Sequence, residues 1–365
     1  MSDRNDVAVI GAGIVGLATA DALLERGAAV TVYERGVPGN GQSGGESRIF
    51  RHAHDDPRMV EMARRSRAIW REWEQRFGVE LVSDDGVVAL GPPVDERLPI
   101  LDAAGGIAAR RIEADAIDGW LPVMSSVDAS AMVDADGGAI RTTAAIRALV
   151  ERVGDGLVAD EVLTVRPTSR GTVEVRAGGV TAQHDHVVVC AGPGTSALAR
   201  QVGLHPPVDL QAHVRSTFAV RGDPPPRLAC LQDSSGAFGE TGVYAAPTPG
   251  NRSYAVGLSE TVEVGEGGTV VDPASLAALD ERARAYVRRA LPGLDPDPVD
   301  VRHCWVTALP WSDDGVAAWQ GSGVTVVAGH NLFKQAPALG RALAAAAFGE
   351  GLGELDPASR LGAAD

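Results

Sequence analysis

Three glycines and one acid near the N-terminus have the types and the spacing of a phosphate-binding unit. Gly11 permits a tight turn after an apolar strand, Gly13 permits close backbone approach to a pyrophosphate, and Gly16 permits close helix packing. A helix predicted over residues 14–25 would present its N-terminal amides to the phosphates. Glu34 follows the second predicted strand, where a carboxylate can accept hydrogen bonds from a ribose. The unit predicts a bound dinucleotide, and the acid favours FAD or NAD over NADP.

A second chemical signal is the lysine content. The chain has 33 basic residues, and Lys334 is the single lysine among them. An arginine-rich composition explains why surface lysines are missing. The surviving lysine is either a chance remnant or a group that must be a compact ammonium where a planar guanidinium would not fit.

Length, charge and cysteine content limit the class of protein. A chain of 365 residues is long enough for two domains, and 45% hydrophobic residues exclude disorder. No apolar run approaches the roughly 18 residues of a membrane span, and a net charge of −15 argues against nucleic acid or an anionic membrane as partner. Three cysteines and a first strand that begins at residue 7 indicate a cytoplasmic protein without a secretory signal.

The pattern of predicted elements indicates an α/β (α+β) fold with two interleaved domains. Helices are predicted over residues 57–77, 142–153, 273–291 and 337–348, and buried strands of the cofactor-binding type recur at the start, middle and end of the chain. Residues 86–91 predict a strand that Pro92-Pro93 ends. Extended segments such as Val214 to Val220 alternate with turns over residues 206–300 and predict a mostly antiparallel sheet. We expect a Rossmann-like cofactor-binding domain of residues 1–86, 141–205 and 303–365, and a substrate-binding domain of residues 87–140 and 206–302.

Five segments together resemble one family of flavoproteins. Besides the N-terminal fingerprint, they are residues 45–53 (GESRIFRHA), 85–92 (DGVVALGP), 304–307 (CWVT) and 329–337 (GHNLFKQAP). They are similar, in the same order, to segments of the D-amino-acid oxidase superfamily, and most of all to its monomeric sarcosine oxidase, N-methyltryptophan oxidase and glycine oxidase branch. The resemblance implies FAD as the cofactor and a monomer.

The resemblance also implies roles for individual side chains. Arg48 would lie against the flavin ring, Arg51 would pair with a substrate carboxylate with help from Lys334, and Tyr244 would line the substrate pocket. Residues 304–307 resemble a turn that precedes the last strand of the flavin domain in that branch, and Cys304 corresponds to the position that attaches to the flavin ring through a thioether. The alternatives are ordinary structural roles: surface arginines, a tyrosine packed in the core, and a cysteine buried as a small hydrophobe.

The remaining implied contacts concern the cofactor, and no metal is expected. The expected FAD-binding residues are Gly11, Gly13, Ile14, Val15, Gly16, Glu34, Arg35, Ser43, Arg48, Val162, Ala191, Gly192, Cys304, Gly329, Leu332, Phe333 and Lys334.

Three positions depart from the branch. A flavin-side lysine that is thought to help activate oxygen corresponds to Ala255, and two histidines correspond to Ser259 and Gly44. The loop before Lys334 is also two residues shorter. These differences leave the substrate and the electron acceptor open.

The sequence therefore predicts an FAD-dependent amine oxidoreductase that acts on CH–NH bonds. The favoured substrate is a carboxylate-bearing secondary amine, either an N-substituted glycine or an N-alkyl amino acid. Transfer of hydride to the flavin would be followed by hydrolysis of the imine. Molecular oxygen would then reoxidise the flavin and would itself be reduced to hydrogen peroxide. The alternatives are a flavin dehydrogenase or imine-forming enzyme on a cyclic amino acid, a glycine or D-amino-acid oxidase, and a catalytically silent FAD-binding protein.

Overall fold

The computed structural model describes residues 5–265 and 268–363. The helices in this part of the chain are α1 Ile14–Glu25, α2 Pro57–Phe77, α3 Pro93–Ala104, α4 Thr142–Val153, α5 Thr195–Gln201, α6 Pro273–Ala290 and α7 Ala336–Ala347. None of them is both long and apolar enough to cross a membrane.

The strands within the same residues are numbered along the chain. They are β1 Asp6–Ile10, β2 Ala29–Glu34, β3 Ser47–Phe50, β4 Val87–Leu90, β5 Ala109–Ile112, β6 Ala131–Asp134, β7 Gly138–Arg141, β8 Leu157–Ala159, β9 Val162–Pro167, β10 Val173–Ala177, β11 Val180–His184, β12 His186–Val189, β13 Asp209–Val220, β14 Cys230–Asp233, β15 Val243–Pro247, β16 Ser253–Leu258, β17 Val262–Glu263, β18 Leu294–Ala308, β19 Val316–Gly321 and β20 Val324–Gly329.

A six-stranded sheet in the order β19-β20-β12-β1-β2-β8 forms the first half of the molecule. Its strands are parallel except β19, which pairs antiparallel with β20. Alternate residues of β1 enter two cores. Val7 and Val9 pack on the layer that contains α1 and α7, while Ala8 and Ile10 pack towards the small sheet β9–β11. Burial on both faces explains why these strands are short and apolar.

The second large sheet has the order β17-β13-β16-β15-β14-β4-β6-β5, with β18 added beside β13. It is antiparallel except where β14 pairs with β4. One face packs on α6, where Leu279 and Tyr286 join a core with Phe218 and Val256. The opposite face is free to line a cavity. These features confirm the predicted fold class.

Helices α2 and α4 have the predicted bounds, because their end signals are local. Asp56 caps α2 by accepting a hydrogen bond from the Arg58 amide, Pro57 occupies the first turn, and Gly78 closes the helix in the left-handed region. The prediction that the pair Pro92-Pro93 ends a strand missed α3, since proline is also well tolerated in the first helical turn.

The environment predicted for Cys304 was wrong. The resembling segment was expected to be a turn, but Cys304 lies inside the 15-residue strand β18. Pro296 and Pro298 argue against a strand in the sequence, because proline cannot donate a backbone hydrogen bond. They are accommodated because β18 pairs with β13 alone at the edge of the sheet. The expected domain boundary between residues 302 and 303 falls within β18. The division into two domains stays a prediction, and its outer limits include residues 1–4 and 364–365, which lie outside the described residues.

Candidate active site

The turn after β1 is built from glycines that neighbouring backbone requires. Gly11 has a φ of +102°, and a Cβ there would lie 2.5 Å from the Cys190 carbonyl oxygen. A Cβ on Gly16 would overlap the carbonyl oxygen of Gly11. A Cβ on Gly13 would stand 3.3 Å from Ser43 Oγ. The turn can therefore bring backbone amides close to a ligand.

Two further groups make the N-terminal end of α1 suitable for binding a dinucleotide. The first amide of α1, at Ile14, donates to Ser43 Oγ over 3.0 Å, and the cap residue Gly13 offers no side chain to cover the helix end. Glu34 is held in place because its two carboxylate oxygens accept from the amides of Ala12 and Gly36, both over 2.8 Å. The remaining lone pairs of this carboxylate can accept from a ribose diol.

The glycine turn opens into a cavity of about 1180 Å³ that continues to the second sheet. Gly16 is the one predicted site residue that does not line it, and its role is the close packing of the turn. All the other predicted residues line it: Gly11, Gly13, Ile14, Val15, Glu34, Arg35, Ser43, Arg48, Arg51, Val162, Ala191, Gly192, Tyr244, Cys304, Gly329, Leu332, Phe333 and Lys334. An amide-lined turn, a fixed carboxylate and a long cavity fit an FAD molecule.

A row of residues on five neighbouring strands contributes Arg215, Tyr244 and Gln232 to the far wall of the cavity. In cross-strand register the row reads Arg302, Arg215, Gly257, Tyr244 and Gln232. A Cβ on Gly257 would lie 2.5 Å from Tyr244 Oη, so the glycine gives the ring its space. The Tyr244 hydroxyl lies 3.0 Å from His213 Nδ1. The tyrosine is therefore part of a polar wall.

Cys304 lies directly opposite His213 across strands β18 and β13. Burial alone would raise the pKa of its thiol, but the hydrogen bond with His213 and the charges of Arg48 and Arg215 outweigh burial and lower the pKa to about 6. In contrast, burial raises the pKa of Cys190 to about 12. The lowered thiol pKa distinguishes Cys304 from Cys190, whose pKa is raised as expected for a cysteine that is only packed in the core.

Arg48 is held by backbone oxygens rather than by a carboxylate. It donates from Nη1 to the Ser47 carbonyl over 2.9 Å and from Nη2 to the Gln42 carbonyl over 3.1 Å. Burial and the nearby charge of Arg215 lower its pKa to about 9, so the guanidinium remains charged at neutral pH. This places a fixed cation in the wall of the cavity.

Arg51 and Lys334 meet at a carboxylate that the sequence did not suggest. Arg51 Nη2 donates to Asp314 Oδ2 over 2.7 Å, and Lys334 Nζ lies 3.9 Å from Asp314 Oδ1. Asn331 contributes twice: its side-chain amide donates to Asp314 over 2.7 Å, and its carbonyl accepts from Lys334 Nζ over 3.1 Å. The two cations hold the pKa of Asp314 well below its usual range despite burial.

One donor of this group has no partner. Arg51 Nη1 is buried and makes no hydrogen bond within the described residues. Burial lowers the pKa of Lys334 to about 8, because desolvation and Arg51 outweigh the attraction of Asp314. Trp70 fixes the lysine backbone by donating from Nε1 to the Lys334 carbonyl over 3.1 Å. The group therefore contains two cations, one carboxylate and a free donor.

Sequence reasoning missed several residues of this site, among them His213, Arg215, Gln232, Asp314 and Asn331. A signal for two of them exists, because polar side chains alternate with apolar ones along β13 at residues 211, 213, 215 and 217. The prediction of a strand that starts only at Val214 concealed that alternation. Asp314 lies in a loop, and no local pattern connects it to Arg51.

Comparison with known proteins places the chain among flavoproteins. The family model DAO, FAD dependent oxidoreductase, matches residues 6–346. Peroxisomal sarcosine oxidase of Homo sapiens is 26% identical over 329 residues, which are 84% of this chain and 82% of that protein. The structure of NikD, an unusual amino acid oxidase essential for nikkomycin biosynthesis, superposes with a TM-score of 0.79 at 22% identity over 96% of this chain and 95% of that one. The structure of L-proline dehydrogenase from P. horikoshii gives a TM-score of 0.81 at 18% identity over 98% of each chain.

The state of Cys304 can be tested in protein freed of its cofactor. Because its thiol has a pKa of about 6 while burial raises that of Cys190, iodoacetamide at neutral pH should alkylate Cys304 first. Peptide mass spectrometry after timed quenching measures the order. His213→Ala removes the hydrogen bond and should slow the reaction at Cys304 about tenfold, whereas alkylation at equal rates in both proteins would contradict the His213–Cys304 pair.

Proposed function

The chain belongs to the family of FAD-dependent oxidoreductases, and on that premise we propose that it oxidises a carboxylate-bearing secondary amine with molecular oxygen. The substrate would be an N-substituted glycine or an N-alkyl amino acid. The observation that carries the proposal is the buried, unpartnered Nη1 of Arg51 beside Lys334 in the cavity. Membership of the family (residues 6–346) confirms the resemblance seen in the sequence and makes FAD the cofactor.

Charge balance supports a carboxylate as the ligand of Arg51 and Lys334. Among the described residues, Asp314 is the one carboxylate that forms an ion pair with these two cations, so the group retains a net positive charge when Lys334 is protonated. An incoming carboxylate would neutralise that charge and accept from Arg51 Nη1. It could also take a free donor of Lys334, since an ammonium has three and Asn331 takes one. A charge-assisted pair in a dry site fixes both the position and the orientation of the ligand.

The rest of the cavity supports an amine. Gln232 lines the wall, and its buried amide oxygen has no hydrogen-bond partner within the described residues. A ligand that brings an N–H donor would satisfy that acceptor, and an amine does so. Tyr244 and His213, joined by their hydrogen bond, give the wall a fixed shape beside it.

In the proposed reaction the protein binds and orients, and it performs little acid–base chemistry. Bound FAD would supply the acceptor for the hydride on the carbon next to nitrogen, and water would hydrolyse the resulting imine. Arg51 and Lys334 anchor the carboxylate so that this carbon is held towards the ring pocket. Arg48 would supply a fixed positive charge there, and Cys304, whose thiol pKa is lowered, would be the residue that attaches the ring covalently.

A second candidate is a dehydrogenase or imine-forming enzyme on a cyclic amino acid. The observation that favours it is Ala255, which lines the cavity where the resembled branch carries a lysine that helps to activate oxygen. Peroxide yield distinguishes the two candidates, since an oxidase releases one peroxide per imine. We also propose a monomer, by resemblance to the branch, and a cytoplasmic location, from the low cysteine content. The acidic composition argues against nucleic acid or an anionic membrane as partner.

Removing either cation tests the anchor. Arg51→Gln and Lys334→Met should each lower kcat/KM for the acid substrate by about 10- to 100-fold, the value of a charge-assisted hydrogen bond. The bound FAD should remain, and the rate with a decarboxylated analogue should not change. Steady-state kinetics with both substrates measures this.

The matched control for that experiment is Arg67→Gln. Arg67 is equally buried but pairs with Glu74, outside the cavity. Its loss should leave the preference for the acid intact. Equal losses with the acid and with the analogue in Arg51→Gln would rule out carboxylate recognition.

Carboxylate binding should also depend on pH through Lys334. The pKa of this lysine in the free protein is about 8, so the positive charge is present below that pH and lost above it. The inhibition constant of a carboxylate without an amino group should therefore rise between about pH 7 and pH 9.5. Lys334→Met should bind weakly with no such rise, and Lys334→Arg should show no rise because arginine stays charged. An unchanged constant in the native protein would contradict the assignment.

A further inference from the structure

Arg48 and Arg215 line the cavity and Arg302 lies beside them, and among the residues that the structure describes none of these three arginines pairs with a carboxylate. Arg215 and Arg302 face each other directly across β13 and β18, and Arg48 is close enough for Arg215 and Arg302 to lower its pKa. Within the described residues, Arg48 and Arg215 direct their side-chain hydrogen bonds to backbone carbonyls, including a bond of 2.9 Å from Arg215 Nη1 to the Ser47 carbonyl. Concentrated buried charge of one sign is costly unless an anion completes it.

Two adjacent glycines make room for these side chains. A Cβ on Gly44 would overlap Arg302 Nη1. Gly45 has a φ of +108°, and a Cβ there would overlap Arg215 Nη2 and stand 3.0 Å from Arg48 Nη1. The guanidinium groups of Arg48 and Arg215 therefore flank the same point. A larger residue at either glycine would disperse the cluster.

The cluster occupies the region where this chain departs from the branch it resembles. Gly44 and Ala255 stand where that branch has a histidine and a flavin-side lysine. Ala255 pairs with Thr217 on β13, and Arg215 is two residues further along the same face of that strand. Arg215 on β13 thus places a positive charge near Ala255, where the resembled branch has a lysine.

The position of Arg215 also gives it access from a second direction. Arg215 and Ala255 line the large cavity, and both also line a separate cavity of about 700 Å³ that includes Arg302 and Gly44. A small neutral molecule could reach the cluster through this second cavity while an amine occupies the first. Arg215 and Ala255 form the wall that the two cavities share.

We infer that Arg215, with Arg302 beside it, promotes the reaction of the reduced flavin with molecular oxygen. The inference rests on the proposed oxidase function. Two electrons and one proton leave the reduced flavin and a second proton comes from water, so that O2 becomes H2O2. The first electron turns neutral O2 into the superoxide anion, and a fixed cation stabilises charge that appears in this step.

The test uses holoprotein reduced with dithionite and then mixed with oxygenated buffer in a stopped-flow instrument. Arg215→Gln should reoxidise at least about tenfold more slowly than the native protein, while Arg215→Lys, which keeps the charge, should lose much less. Arg227→Gln is the matched control, because Arg227 lies over Trp120, away from both cavities. Ala255→Lys added to Arg215→Gln should restore the rate. Reoxidation of Arg215→Gln at the native rate would overturn the inference.

A second readout is independent of turnover. Loss of a cation near the flavin should make its reduction potential more negative in Arg215→Gln, and Arg302→Gln should shift it in the same direction. If Arg215→Gln does not retain FAD, the reoxidation rate and the reduction potential are both measured in Arg302→Gln instead. Dithionite replaces the substrate, so a failed oxygen test refutes the role of Arg215 alone. The proposed function would instead fail if no carboxylate-bearing amine reduced the flavin anaerobically.

Discussion

The surplus of buried positive charge in the large cavity is the constraint on which this site depends. Arg48, Arg51, Arg215 and Lys334 line one cavity, and Asp314 is the carboxylate that pairs with two of them. Unpaired charges lose hydration on burial, so such an arrangement is stable only if anions complete it or if the cations are held by fixed dipoles. Backbone carbonyls hold Arg48, and a substrate carboxylate would complete Arg51 and Lys334.

Small residues make this concentration of charge possible. Gly257 gives Tyr244 its space, while Gly44 and Gly45 admit the guanidinium groups of Arg302 and Arg215. The antiparallel sheet then holds the polar side chains in register, because residues on alternate positions of β13 and β18 face the same side. At the other end, glycines of the turn after β1 serve backbone approach. Glycine thus has two roles here: it allows close backbone approach in the turn after β1, and elsewhere it leaves space for a neighbouring side chain.

How much the sequence could predict depends on whether the signal was local. The fingerprint turn and helix α2 carry their own start and stop residues, and their bounds followed from them. Strand β18 did not, since its prolines are compatible with a strand only at a sheet edge. The pairing of Arg51 with Asp314 joins residues 263 positions apart, and nothing near either one in sequence indicates it. Candidate residues were therefore predictable, whereas their partners, which determine charge and pKa, were not.

The central claim is that this FAD-dependent oxidoreductase oxidises an amine which it recognises by a carboxylate. The most direct measurement is the anaerobic loss of flavin absorbance after mixing with a panel of N-alkyl amino acids, each compared with the amine that lacks the carboxylate. The account predicts that at least one acid reduces the flavin at least about tenfold faster than its decarboxylated partner, as expected for a charge-assisted contact. Equal reduction by acid and amine throughout the panel, or reduction by the amines alone, would contradict it.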